Sequence, residues 1–280
     1  MTDSAVEYEI VHQSARRVSL RASLHELAAS RECLWSFGER YLRLRYKQAA
    51  LGVGWAILKP LALFVPFLVF FGGAAGISGG GTTYAAFSLS ALVPWQYVAA
   101  AVELGSNALV VDGNLMRKIY FPREAPVIGG ALSNLPDLAI GVVIVLVVAP
   151  LTGAQFGPSL VFLPLLAVLI SLPALAVILP LSALAVYYRD VKYGIPLFIQ
   201  LWLFLSPVAY PITALPPRLR WVMALLNPVS GPLEGFRRVL ALGTMPDWGL
   251  LGISAASASV GLVFGYWAFK RLERAFADVV

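Results

Sequence analysis

Apolar positions along this chain gather into six long runs, at 51–76, 84–110, 126–150, 159–187, 194–214 and 248–269. A helix that crosses a bilayer needs about 20 mostly apolar residues, so each run predicts a membrane-spanning helix. The fourth run carries Pro164, Pro173 and Pro180, which predicts a tilted, kinked or broken span.

The segment ahead of the first run has a different pattern. Drawn as a helix at about 100° per residue, Leu34 to Lys47 places Leu34, Trp35, Phe37, Tyr41, Leu42 and Leu44 on one half of the wheel, with Glu39, Arg40, Arg43 and Lys47 on the other. That predicts an amphipathic helix lying in the plane of the inner leaflet. Arg45 falls in the apolar half, where it either snorkels to headgroups or meets a phosphate or a protein carboxylate. Near the other end, 215–247 holds two short apolar stretches, Leu219–Leu226 and Val239–Leu242, among Pro216, Pro217, Pro228 and Pro232. These are too short to span and predict re-entrant or interfacial helices, the alternative being an ordinary outer loop.

Composition agrees with the pattern. The 280 residues are 59% hydrophobic and 13% charged, against about 25% charged in soluble domains. The expected fold is therefore an all-α membrane protein: six transmembrane helices, an N-terminal interfacial helix and short re-entrant helices in the last outer loop. Residues 1–30 form a tail, and 31–280 form the transmembrane domain, with the interfacial helix at 31–47, spans over about 51–269 and a short C-terminal tail. The single cysteine, Cys33, makes no intrachain disulfide, and the two histidines, His12 and His25, lie in the tail, which argues against a histidine-built metal site.

Charge sets the orientation. Basic residues precede span 1 (Arg40, Arg43, Arg45, Lys47), join spans 2 and 3 (Arg117, Lys118, Arg123), join spans 4 and 5 (Arg189, Lys192) and follow span 6 (Lys270, Arg271, Arg274), whereas 77–83 and 151–158 carry no charge. The positive-inside rule puts both termini in the cytoplasm. The first 30 residues are mixed polar and charged and read as no signal peptide. The net charge of +6 belongs to this inner surface and not to nucleic-acid binding.

Candidate chemistry is sparse. Asp112 to Arg123, DGNLMRKIYFPR, predicts a short cytoplasmic helix, capped by Asp112 or Asn114 and ended by Pro122, suited either to docking in a partner's groove or to fixing topology. Asp137, Glu103 and Lys59 are ionisable residues inside spans, and such residues face a bundle interior or water. Aromatic residues collect in spans 1 and 2 and at span ends, as interface anchors or as surfaces for sugar faces. No Gly-Lys pair occurs, so the chain has no G-x-x-x-x-G-K-[ST] phosphate loop, and ATP would be bound by another chain.

Four pieces in order carry a family resemblance. They are Arg45-Tyr46-Lys47-Gln48-Ala49-Ala50-Leu51-Gly52 with Trp55 and Pro60; Arg117-Lys118-Ile119-Tyr120-Phe121-Pro122-Arg123; Tyr187-Tyr188-Arg189-Asp190-Val191-Lys192-Tyr193; and Asn227-Pro228 with Gly235-Phe236-Arg237. With them the chain resembles the ABC-2 type permeases that export polysaccharides, over about 31–275. It departs from the usual pattern at Val53, where Pro is common, and at Lys59, where Gln is common.

The resemblance implies a homodimer served by two copies of a separate ATPase that binds ATP and magnesium, in the bacterial inner membrane, with an undecaprenyl-diphosphate-linked glycan as substrate and no cofactor in this chain. By the same resemblance, Asn114, Leu115, Met116, Arg117, Lys118, Ile119, Tyr120 and Phe121 couple to the ATPase. Arg40, Arg43, Arg45 and Lys47 attract the lipid diphosphate. Trp55, Lys59, Phe64, Phe67, Tyr84, Trp95, Glu103, Trp202 and Tyr210 are channel-lining candidates. Competing expectations are an exporter of capsule, teichoic acid or small drugs, and a membrane enzyme acting on polyprenyl-phosphate sugars.

Overall fold

A computed structural model describes residues 29–47, 51–52, 54–74, 81–116, 118, 121–154, 156–274 and 276. The histidines of the N-terminal tail, and Gln48 to Ala50 and Val53 of the first motif, lie outside the described residues. In chain order the helices are α1 (Arg31–Tyr46), α2 (Gly54–Phe67), α3 (Tyr84–Val111), α4 (Gly113–Met116), α5 (Glu124–Leu132), α6 (Leu135–Leu151), α7 (Leu163–Tyr187), α8 (Val191–Leu205), α9 (Pro217–Leu226), α10 (Ser230–Ala241) and α11 (Trp248–Glu273). No strand occurs among the described residues. Five stretches are long and apolar enough to cross a membrane: Gly54–Ala74, Tyr84–Leu115, Glu124–Leu151, Pro158–Tyr187 and Trp248–Glu273. Val191–Leu205 is apolar but shorter.

The core is built around α3, which is buried along nearly all its length and packs on α5, α6, α7, α8 and α10. The other long helices bury one stripe and leave the rest apolar and bare, as lipid-facing helices do. Small residues set the closest crossings. A Cβ on Gly265 of α11 would lie 2.5 Å from the Ala176 carbonyl oxygen of α7. Pro180 has no N–H for that carbonyl, so the helices meet where α7's own ladder is open. α7 runs unbroken from Leu163 with Pro173 and Pro180 inside it.

Proline decides three local departures from uniform spans. After Pro66, α2 widens into a π-helical stretch over Leu68–Ala74. The third apolar run is two helices, because the chain turns at Ser133–Asn134. There the Ser133 hydroxyl and the Asn134 amide both donate to the Gly130 carbonyl at 2.8 Å, and Pro136 opens α6, where its missing N–H costs nothing. The fifth run ends as helix at Leu205, before Pro207, and continues as turns to a short 3-10 helix, Ile212–Ala214.

α1 docks on α5 through glycine. A Cβ on Gly129 would lie 2.9 Å from the Cβ of Phe37 and 3.0 Å from the Gly38 nitrogen. Phe37 and Tyr41 are buried in this contact, while Trp35 and Leu44 are 77% and 61% exposed. The amphipathic helix read from the sequence thus divides its apolar half between the protein and its surroundings.

Candidate functional site

A cavity of about 550 Å³ opens between α1, α2, α3, α6 and the first turn of α8. Arg45, Lys59, Glu103, Asp137 and Lys192 all line it. The wall is otherwise largely apolar, with Tyr41, Gln96, Tyr97, Asn107 and Asn134 as its polar groups. Gln96 fixes α3 to α2 by donating to the Lys59 carbonyl at 3.0 Å.

Two carboxylates hold α1 over this cavity. Arg45 pairs with Asp137 at 2.5 Å, the Tyr46 hydroxyl donates to the other Asp137 oxygen, and Arg45 reaches the Ser133 hydroxyl at 3.4 Å. The break at Ser133–Asn134 puts Asp137 in the first turn of α6, midway along the Glu124–Leu151 stretch. Negative charge is favoured there by the helix dipole. Burial and the bond to Asp137 push the Tyr46 phenol up to about 12. Arg40 pairs with the buried Asp112 at 2.7 Å, and the Tyr41 hydroxyl donates to the same carboxylate. Burial, then that bond, raise the Tyr41 phenol well above the usual range. Arg43 pairs with Glu39 at 2.5 Å on the exposed side, and Lys47 is exposed.

The segment read as a coupling helix contains a single helical turn, Gly113–Met116. Asn114 and Lys118 are exposed. Leu115 and Phe121 instead pack inward beneath α1, with the Phe121 ring 5.1 Å from that of Phe37. Arg117, Ile119, Tyr120 and the side chain of Met116 lie outside the described residues.

Of the channel candidates, Lys59 and Glu103 reach the cavity. Trp95 and Trp202 are buried against each other edge to face at 5.6 Å and join α3 to α8. Phe67 is buried, Phe64 and Tyr210 are half-buried, and Trp55 is exposed. Tyr84 is buried and donates to the Ala209 carbonyl at 3.1 Å.

Two polar networks carry groups whose partners sequence reasoning missed. At the end of α8, Asn227 accepts from the Trp202 indole at 2.9 Å and donates to the Ser206 hydroxyl at 2.9 Å. Arg237, 1% exposed, pairs with Glu234 at 2.7 Å, lies 3.9 Å over the Phe87 ring and donates to the carbonyls of Pro207 and Val208 at 2.6 and 3.2 Å. The Asn227-Pro228 and Gly235-Phe236-Arg237 motifs thus converge on the unwound chain after α8. Beyond the Gly235-Phe236-Arg237 motif itself, the sequence signal was an arginine with Glu at i−3 amid apolar residues. On the side of the basic loops, Lys270 pairs with the buried Glu124 at 2.5 Å and with Glu273 at 2.9 Å, while Tyr266 donates to Glu124 at 2.9 Å. This ties the start of α5 to the end of α11. Among the described residues no cluster of His, Cys, Asp and Glu is placed to hold a metal.

A helical bundle with five stretches long and apolar enough to cross a membrane, and a charged cavity beneath an amphipathic helix, defines the chain as a multi-pass membrane protein. The chain belongs to the ABC-2 type transporter family, whose model matches residues 32–241. It is 24% identical over 258 residues to the O-antigen export system permease protein RfbA of Myxococcus xanthus, a match spanning 92% of this chain and 98% of that one. It is 22% identical over 240 residues to a protein of the same name from Klebsiella pneumoniae, spanning 85% and 91%.

Proposed function

We propose that this chain is the transmembrane subunit of an ABC exporter that moves a lipid-linked polysaccharide, O-antigen in the first instance, across the bacterial inner membrane. Two copies form the channel, and two copies of a separate ATPase bind ATP and magnesium and drive it. The observation that carries this reading is the charged cavity beneath α1, in a chain whose near-full-length relatives are named O-antigen export permeases.

In this reading α8 completes a sixth crossing, with both termini cytoplasmic. Its 15 residues give about 22 Å of helix, against about 30 Å of hydrocarbon. The unwound residues after Leu205 make up the difference. Irregular backbone at membrane depth needs protein partners, and Arg237, Asn227 and Tyr84 supply them. α9 and α10 then form the re-entrant pair, with α10 buried against α3, α7 and α11.

The mechanism follows from how α1 is tied down. The basic face of α1 draws an anionic carrier headgroup to the inner leaflet. ATP binding moves the 113–121 segment, and that motion passes to α1 at two points, through Phe121 against Phe37 and through Asp112 to Arg40 and Tyr41. α1 moves as a rigid body and uncovers the cavity toward the channel. Deleting the gene tests the reading. Surface polysaccharide should vanish while lipid-linked polymer accumulates inside the cell, and unchanged surface polysaccharide would refute it.

A further inference from the structure

The charges between α8 and α11 do not cancel. From Pro211 to Trp248 the chain carries Arg218, Arg220, Arg237 and Arg238 against Glu234 and Asp247. In the orientation of the exporter reading these arginines lie on the outer face, against the positive-inside rule. The other outer segments, 77–83 and 151–158, are uncharged. Arg237 is explained by the fold, since it is buried, pairs with Glu234 and caps backbone carbonyls. The surplus lies with the others.

A second, smaller cavity, of about 150 Å³, brings two of them together. It lies between the 3-10 helix Ile212–Ala214, α9, α10 and the start of α11, and its polar wall is Thr213, Arg220, Trp221, Arg238 and Asp247. Arg220 is held there by nearby backbone. Its Nε donates to the Leu215 carbonyl at 2.8 Å and its Nη2 to the Thr213 carbonyl at 2.7 Å, which leaves Nη1 over. Arg238 is held loosely, 3.6 Å from Glu234 and 3.5 Å from Asp247, where a charge-assisted bond is about 2.7–2.9 Å. Glu234 makes its closer contact, 2.7 Å, with Arg237. Asp247 uses its other oxygen to cap α11, accepting from the N–H groups of Gly249 and Leu250 at 3.1 and 3.2 Å. Two guanidinium groups therefore share one carboxylate that is already engaged, and a further anion would complete the set.

Aromatic rings mark the depth of this cavity. Trp248 opens α11, and Phe162, edge-on to it at 5.1 Å, ends the 3-10 helix before α7. Trp221 rests on the same end of α11, where a Cβ on Gly249 would lie 2.8 Å from its ring. Both indoles are about half exposed. Tryptophan at the ends of spans sits at headgroup level, so the two arginines stand where lipid phosphates lie. Beside the cavity α9 bares an apolar face, Leu219, Val222 and Leu226, against which acyl chains can lie. The volume is below the about 300–1,000 Å³ of drug-sized sites and suits a phosphate with its glycerol, not a glycan chain.

We propose that this cavity binds the phosphate of an anionic phospholipid of the outer leaflet. Arg238 and the free Nη1 of Arg220 take phosphate oxygens, and the acyl chains run down the bare face of α9. The positive surplus, with no carboxylate free for an ammonium, selects an anionic headgroup over a zwitterionic one. The bound lipid pins α9 to α10 and to the first turn of α11, so it joins the re-entrant pair to a membrane-crossing helix. The inference rests on the exporter reading only for the side of the membrane on which the lipid lies.

The test is tryptophan fluorescence of the full chain in phosphatidylcholine nanodiscs, with phosphatidylglycerol brominated near the ester end of its acyl chains as the probe. The signal is the part of the quenching that Trp221→Phe removes. At Trp221 the brominated phosphatidylglycerol should be favoured about tenfold over brominated phosphatidylcholine, the worth of one charged hydrogen bond. Arg238→Gln should erase that preference, and Arg238→Lys should keep it within about threefold. Asp247→Asn keeps the helix cap and removes the competing charge, so it should raise the preference about threefold. No preference in the unaltered chain, or the same preference in Arg238→Gln, overturns the proposal. Where Arg238→Gln fails to fold, an unraised preference in Asp247→Asn overturns it. Glycerol phosphate in solution relieving the quenching makes the cavity a site for soluble anions and also overturns it. If surface polysaccharide depends on the gene while Trp221 shows no preference, this inference fails and the exporter reading stands.

Discussion

Arg237 donates to the carbonyl of Pro207 across 2.6 Å, thirty positions apart in sequence, and both groups are buried. The pair explains how the helix of Val191–Leu205 stops inside the bundle without stranding its backbone. Arg237→Met should therefore leave Glu234 buried without its close partner and two carbonyls without donors. We expect a loss of about 3–5 kcal/mol, seen as a sharp drop in thermal stability in detergent. Arg237→Lys should recover part of it, because an ammonium retains the charge but not the fork. Unchanged stability in Arg237→Met would contradict the capping role.

Arg40 and Asp112 tie α1 to the start of the 113–121 segment. Asp112 is buried while Arg40 is about half exposed, so Arg40→Ala should cost only about 1 kcal/mol of stability after solvent screening. Export should suffer more than stability, since α1 no longer follows the segment. Adding Asp112→Asn to Arg40→Ala removes the uncompensated charge. Stability should return with the double change while export does not, as measured by unfolding and by surface polysaccharide side by side. Recovery of export would show that the tie transmits nothing.

The segment proposed to meet the ATPase makes a separate prediction. Replacing Arg117 and Lys118 with Glu should abolish ATP-driven export and leave membrane insertion intact, because the pair sits in the segment expected to meet the ATPase. Export at the normal rate in that variant removes the coupling role from Asn114–Phe121.

Tyr46 predicts a pH effect of definite sign. Its phenol is raised to about 12 from about 10, so the folded chain holds this proton more tightly than the unfolded one. The associated stability is fully present below about pH 10 and is lost as pH climbs toward 12. Tyr46→Phe should flatten that part of the curve, and an identical alkaline profile in the variant would contradict it.

Much of the architecture was legible in the sequence because lipid imposes long apolar runs, and α2, α3, α7 and α11 fall close to them. The breaks were harder. Pro136 gave no warning that span 3 divides at Ser133–Asn134, since proline early in a helix and proline inside one look alike in sequence. That break puts Asp137 in a first turn within reach of Arg45. The odd placement of Arg45 on the apolar half of α1 was readable, and the carboxylate was among its expected partners. Which carboxylate was not, because the two residues are 92 positions apart. Phe121 read as part of a docking helix and instead anchors the loop on Phe37. A short amphipathic segment does not reveal which of its faces meets its own chain.

The central claim is that this permease recognises a lipid-linked glycan and couples it to a partner's ATP hydrolysis. The most direct measurement is ATP hydrolysis by the permease purified with its ATPase, with and without undecaprenyl-diphosphate-linked polysaccharide from the same cell. The account predicts saturable stimulation by the lipid-linked polymer. Hydrolysis indifferent to the lipid-linked polymer would contradict it.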